Sequence, residues 1–217
     1  MSWLLRLIAF FVKKTPPPEA PAPIKQELPT NETPPVEKPF PQIDLRQSIA
    51  DDLVDRMSLW IGQRETHGKN RSLLIDALNN RTGARLGDPY CQTAIWCVAD
   101  DLCRARGFKN PLPRTASSQS AWRQAPAKYR KNLTGKKGDF AYQRLRNDHS
   151  RGHAMMVAVD KVPGETKFFT LEANTNKAGS RDGDGFWEQT RSTDGTHEKM
   201  FLGFVDVPQW ITDVNIN

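Results

Sequence analysis

The sequence predicts an α+β domain, with helices packed on an antiparallel β-sheet, behind an extended amino-terminal arm. Three observations predict it. Apolar residues recur at helical spacing between residues 43 and 106. After Gly107 the apolar runs shorten to strand length, and turn residues separate several of them. Residues 15–41 hold ten prolines and almost no aromatics, a composition that cannot build a core. Helices first and strands afterwards favour an antiparallel sheet against a helical layer over an alternating, parallel arrangement. The 217 residues suffice for one well-buried domain plus extensions.

Residues 3–12, Trp-Leu-Leu-Arg-Leu-Ile-Ala-Phe-Phe-Val, are apolar except for Arg6, and Lys13 and Lys14 follow. As a helix this stretch is roughly 15 Å long, about half the hydrocarbon thickness of a bilayer. It lacks a small-x-small cleavage site and is a poor secretory signal. Residues 1–14 therefore read as a membrane-surface helix or a docking peptide, with a terminal helix packed on the body as the alternative. Residues 15–41 read as a flexible, Pro-rich tether reaching roughly 80 Å when extended. The domain occupies residues 42–217.

Within it, Leu45, Ile49, Leu53, Met57 and Trp60 predict an amphipathic helix over 43–64. Asn70-Arg71-Ser72 precedes a shorter helix built on Leu73, Leu74, Ile75 and Leu78, ended by Thr82-Gly83. A third helix starts at Cys91 and runs to about Arg106, where Gly107 stops it. Residues 109–116 form a loop with Pro111 and Pro113, and Ser117 to Trp122 a short helix. The strand candidates are Asp139–Leu145, His153–Asp160, Lys167–Glu172, Gly185–Thr190 and Met200–Val207. There is no internal repeat.

Lys and Arg total 31 against 25 Asp and Glu, a formal charge of +6. That balance suits an anionic partner: nucleic acid, lipid head groups or a wall polymer. No Lys/Arg block is dense enough for a nucleic-acid arm, and the Arg residues between 104 and 151 read as a solvated face, so no nucleic-acid partner is expected.

The three cysteines, Cys91, Cys97 and Cys103, leave at least one thiol outside any intramolecular disulfide. Residues six apart lie on different faces of a helix, so a 91–97 bridge is implausible. Their spacing is not that of a zinc site. Cys97 and Cys103 fall beside Ile95, Val98 and Leu102 and read as small buried hydrophobes. Cys91 differs by position. The turn Gly87-Asp88-Pro89 places it at a helix start, where partial positive charge and free N–H groups favour the thiolate.

His153 follows Gly152 and leads into Ala-Met-Met-Val-Ala-Val, so it sits at the start of a buried strand, where its imidazole can face Cys91. Glu172 ends the next strand and can hold the ring in one tautomer, with Asn174 two residues further on. Nucleophile, base and orienting groups for thiol-based acyl transfer are thus present. His149 lies in a polar loop, and His67 and His197 receive no role. His149 and His153 have metal-pair spacing but no further ligand set, so no metal is expected. Asp182 and Asp184 hint at a calcium loop, but Phe186 occupies the next alternate position and a polar hairpin turn fits better.

At these residues the chain resembles the papain-like peptidoglycan hydrolases of the CHAP and NlpC/P60 kind. Gly87-Asp88-Pro89-Tyr90-Cys91, Gly152-His153-Ala154-Met155-Met156-Val157 and Glu172-Ala173-Asn174-Thr175-Asn176 carry the resemblance, which spans about residues 58–207. Glu65 with Asn70-Arg71, Thr115–Gln119 and 179–185 also resemble family segments. Tyr90 stands where the family has Trp, and Ala173 where it has Gly.

The resemblance implies a papain-like fold and a cysteine amidase or endopeptidase that cuts cell-wall peptide bonds without a cofactor. It gives Cys91 the nucleophile role, His153 the base, and Glu172 with Asn174 the orienting role. The backbone N–H of Cys91 would join the oxyanion hole. Tyr90, Gln92 and Trp122 are the expected substrate contacts, and Trp96, Trp122, Tyr142 and Trp187 line grooves or, more simply, pack in the core. The implied partner is bacterial peptidoglycan, in the cell envelope or on a phage. Residues 1–14 would dock to a membrane surface or to a phage or secretion assembly. The alternative is a catalytically inactive wall-binding or adaptor module docked through the Pro-rich arm.

Overall fold

The computed structural model describes residues 44–179 and 183–216, which fall within one compact unit, Gln42–Asn217. The readings made for residues 1–14 and 15–41, and for Asp182, lie outside the described residues.

Helix α1 (Leu45–Ser58) opens at Asp44, whose carboxylate accepts from the Gln47 N–H at 3.1 Å. It buries Ile49, Leu53 and Met57. The helix stops at Ser58, short of the expected residue 64, yet Trp60 still packs edge-on against Phe186. Helix α2 (Leu73–Thr82) is capped by the Ser72 hydroxyl and ended by left-handed Gly83. Helix α3 (Cys91–Ala105) lies in the middle of the main core and is buried along most of its length. Helix α4 (Ser118–Gln124) starts at Ser117, whose hydroxyl accepts from the Ser120 N–H.

The strands are β1 (Arg130–Lys131), β2 (Phe140–Leu145), β3 (Gly152–Val157), β4 (Lys167–Thr175), β5 (Gly185–Ser192) and β6 (Lys199–Val205). They form one antiparallel sheet in the order β1-β6-β2-β3-β4-β5. The fold is α+β, as the sequence predicts. Phe140, Tyr142, Ala154, Met156, Leu171 and Ala173 join the helices in the main core. Ala141, Met155, Val157, Phe168 and Phe204 form a second cluster, as the two-residue period of a strand requires.

Two further elements depart from the sequence expectation. β1 is only two residues long and carries no apolar pattern of its own. The last strand does not continue to Val207. The chain leaves the sheet at Val205, and Asp206 accepts from the Gln209 N–H at 3.2 Å to start helix α5 (Val207–Ile216). A cap followed by Pro208 in the first turn is a helix-start signal that the apolar run Phe204-Val205 masks.

Candidate active site

Two buried asparagines fix the turn that delivers Cys91. Asn79 donates to the carbonyls of Arg85 and Asp88, and Asn70 donates to the Gly87 carbonyl at 2.8 Å. Gly87 has φ +89°, a left-handed conformation that a side chain would strain. α3 then begins with no side-chain cap, unlike α1, α2 and α4, and with no acid in its first turn. Its free N–H groups and positive end are left for another acceptor. The Cys91 sulfur stands there, and the backbone N–H groups of Gln92 and, from β3, Ala154 favour its ionised form.

His153 comes from β3. Gly152 precedes it for a steric reason: a Cβ there would sit 2.0 Å from the Gln119 amide and 2.4 Å from the Gln143 carbonyl. Gln119 itself donates to that carbonyl. The close approach of α4 to β3 therefore requires glycine beside the histidine. β3 and β4 pair only at Met156–Val157 with Thr170–Leu171, and α3 packs on both strands. The His153 ring is buried between two partners. Its Nε2 lies 2.8 Å from Glu172 Oε2. Its Nδ1 has no nitrogen or oxygen partner, and the Cys91 thiol is the other group that interacts with the ring.

Glu172 is fully buried and its carboxylate is heavily bonded. Thr170 Oγ1 donates to Oε1 at 2.6 Å, and Arg191 from β5 donates through Nε to Oε1 at 2.7 Å and through Nη2 to Oε2. The forked guanidinium matches both carboxylate oxygens.

These contacts decide the charges. Burial opposes ionisation of Cys91, but the His153 charge and hydrogen bond, with the two backbone N–H groups, outweigh it and lower the thiol pKa. Burial likewise opposes an imidazolium, yet Cys91 and Glu172 raise His153 to about 9. For Glu172 the desolvation cost is overcome by Arg191 and His153, which lower it to about 2. All three shifts favour the charged forms: thiolate, imidazolium and carboxylate.

Cys91 lines a cleft of about 640 Å³ bounded by Lys69 and Asn70, by Gly87–Pro89, by the 116–118 segment and by 150–152. Of the residues singled out in the sequence, Cys91, His153 and Glu172 come together. Asn174 sits at an irregularity of β4 with φ +57°, and its backbone N–H donates to the Tyr90 hydroxyl. Glu172 holds the ring through Nε2.

The three expected substrate contacts need correction. Tyr90 is 0 % exposed; its ring packs on Phe186 and its hydroxyl donates to Glu65 Oε1 at 3.3 Å. Gln92 is buried one residue inside α3, with its side chain turned to the Tyr142 hydroxyl. Trp122 packs against Tyr142 and Arg130, away from the cleft lining. The aromatics at Trp96 and Tyr142 are core, and Trp187 lies under the Arg64 guanidinium. His67, His149 and His197 are exposed.

Sequence reasoning missed Arg191, Thr170 and the Asn70 side chain. Arg191 looks like any polar strand residue until β4 and β5 are placed in register, because only the pairing brings it to Glu172. Glu65 and Asn70, noted only for resemblance, prove to be joined: the Asn70 N–H donates to Glu65 Oε2 at 2.8 Å. Among the described residues, no group of three or more His, Cys, Asp or Glu side chains is placed to hold a metal ion.

Comparison with known proteins adds no name to this geometry: no family model matches the chain, and no curated protein is a significant match.

Proposed function

We propose that the protein is a cysteine hydrolase of amide bonds, an amidase or endopeptidase of bacterial cell-wall peptides with a papain-like fold. The observation that carries the reading is the His153 ring held between the Cys91 thiol and the Glu172 carboxylate. A thiolate at an uncapped helix start, with a cationic acid beside it, is equipped to open an amide. Sulfur attacks the carbonyl carbon, and the oxyanion that forms lies at the start of α3, where the Cys91 N–H is available. His153 gives its proton to the leaving nitrogen, and the C–N bond breaks to leave a thioester and a free amine. Water then gives a proton to the neutral imidazole and attacks the thioester. Its collapse releases a carboxylic acid and restores the thiolate and imidazolium.

The wall as substrate rests on the three motifs and on charge. The chain carries +6, and Lys69 and Arg151 flank the cleft, which suits the anionic polymer. The place of action that follows is the cell envelope or a phage particle. Residues 1–14 would bind a membrane surface or a larger assembly and hold the enzyme near its substrate.

The test is digestion of purified wall by the protein and by Cys91→Ala, with products read by mass spectrometry. New free amines in the first and not the second are expected. Identical profiles from both proteins would favour an inactive wall-binding module.

A further inference from the structure

We infer that Arg191 is a positioning residue for Cys91: its guanidinium clamps Glu172 in the orientation that holds His153 against the thiol. It also completes a charge-balanced buried set of two anions and two cations. This deepens the hydrolase reading and rests on it only for the use to which the thiolate is put.

The geometry is specific. Glu172 and His153 are buried, and the Arg191 side chain is only 14 % exposed. Arg191 meets both oxygens of Glu172, so the carboxylate cannot rotate away from the imidazole without breaking the fork. Its Nη1 donates to the Gly179 carbonyl at 2.9 Å, and Gln189, two residues earlier on β5, donates to the Asn176 carbonyl at 2.8 Å. Alternate residues of β5 thus fix both the acid and the segment that follows β4. Gly179 has φ +77°, and a Cβ there would press on the guanidinium at 3.1 Å.

The electrostatic argument is separate from the geometric one. Cys91 and Glu172 supply two negative charges and His153 one positive charge. In a buried site, that surplus must be countered or lost by protonation. Among the described residues, the charged and titratable groups around the set are few. Tyr142 faces Cys91 from β2, and its hydroxyl carries no charge to offset the surplus. Thr170 adds a neutral donor. Lys69, Asp88 and Arg151 line the solvent-filled cleft, where water screens them. Arg191 alone of these contacts Glu172 directly with a positive charge. Without it, either Cys91 ionises less readily, or Glu172 takes a proton and His153 loses the partner that keeps it cationic. Both outcomes reduce the thiolate fraction below neutral pH.

The experiment is iodoacetamide labelling of Cys91, followed by peptide mass mapping, in the full-length protein, Arg191→Gln and Arg191→Lys. The readout is the ratio of the rate at the wild type's own acid midpoint, fixed first from its pH profile, to that at about pH 10, which cancels any change in access. Loss of a neighbouring charge moves a buried group by about one pH unit or more, so the ratio in Arg191→Gln is expected to fall about fivefold or more. Arg191→Lys keeps the charge without the fork and should fall between the two. A ratio in Arg191→Gln equal to wild type would overturn the inference. If circular dichroism shows that Arg191→Gln does not fold, Arg191→Lys decides, and a wild-type ratio there would overturn it equally. Wild-type protein that labels rapidly at low pH but releases no wall fragments would count against the hydrolase reading and leave the role of Arg191 standing.

Discussion

Helix α3 carries three cysteines in closely similar burial, and they behave in opposite ways. Cys97 and Cys103 sit within the helix among apolar neighbours, and burial raises each thiol to about 12. Cys91 is buried as well, but its pKa falls below the ordinary 9.0. Burial is the largest influence on all three. The difference comes from partners: an imidazole, two backbone N–H groups and an uncapped helix start at Cys91, against the Leu78 carbonyl at Cys97 and, at both other thiols, arginine and aspartate charges that oppose one another. A buried thiol in this fold is inert unless a cation and unpaired N–H groups converge on it.

The sharpest way to break that comparison is by substitution along the helix. Cys91→Ala is expected to lower wall-peptide cleavage by about a thousandfold or more, because it removes the nucleophile. Cys97→Ala and Cys103→Ala should leave cleavage near wild type and cost about 1 kcal/mol of stability each in denaturant titration. Loss of activity in either of these two would mean that the distinction drawn along α3 is wrong.

A smaller loss is expected from Glu172→Gln. It keeps the shape but removes the charge that supports imidazolium, and should cost about a hundredfold or more in kcat/KM. The alkaline limb of the rate profile, which the wild type should show near pH 9, should move down. An unshifted limb would mean that Glu172 does not govern His153.

pH also acts on stability. His153 is held above its unfolded value of 6.5, up to about 9. Its contribution is therefore full below pH 6.5 and is lost as pH rises through 9. Glu172 is held below 4.5, down to about 2, so its contribution is present above pH 4.5 and is lost as pH falls toward 2. Cys91, held below 9.0, contributes in the opposite sense and largely offsets His153 on the alkaline side. Thermal melting should therefore weaken mainly toward acid, and Cys91→Ala should expose the alkaline loss.

The smallest effect is expected at Tyr90. Tyr90→Phe removes the hydroxyl that links Glu65 to the Asn174 backbone, and should cost about 1 kcal/mol while leaving Cys91 labelling unchanged.

Much of the site was legible because its chemistry is local. A turn with Gly87 before Cys91, a glycine before His153 and an acid in a buried strand are each readable from neighbours in sequence. The helices were legible from periodicity and from the caps at Ser72 and Ser117, and the longer strands from their apolar runs. What could not be read depends on long-range pairing. Arg191 reaches Glu172 only through the register of β4 with β5. Tyr90 and Trp122 carry aromatic rings suited to either a core or a subsite, and only packing shows that they belong to the core. α5 was hidden because the apolar end of β6 runs straight into its first turn.

The account stands on the ionised sulfur of Cys91. The most direct measurement is the thiolate absorbance in the far ultraviolet as a function of pH, taken as the difference between the wild type and Cys91→Ala. The sulfur is expected to ionise with a midpoint below the ordinary thiol value of 9.0. A difference signal that appears only at or above that value would contradict the ion pair and the hydrolase built on it.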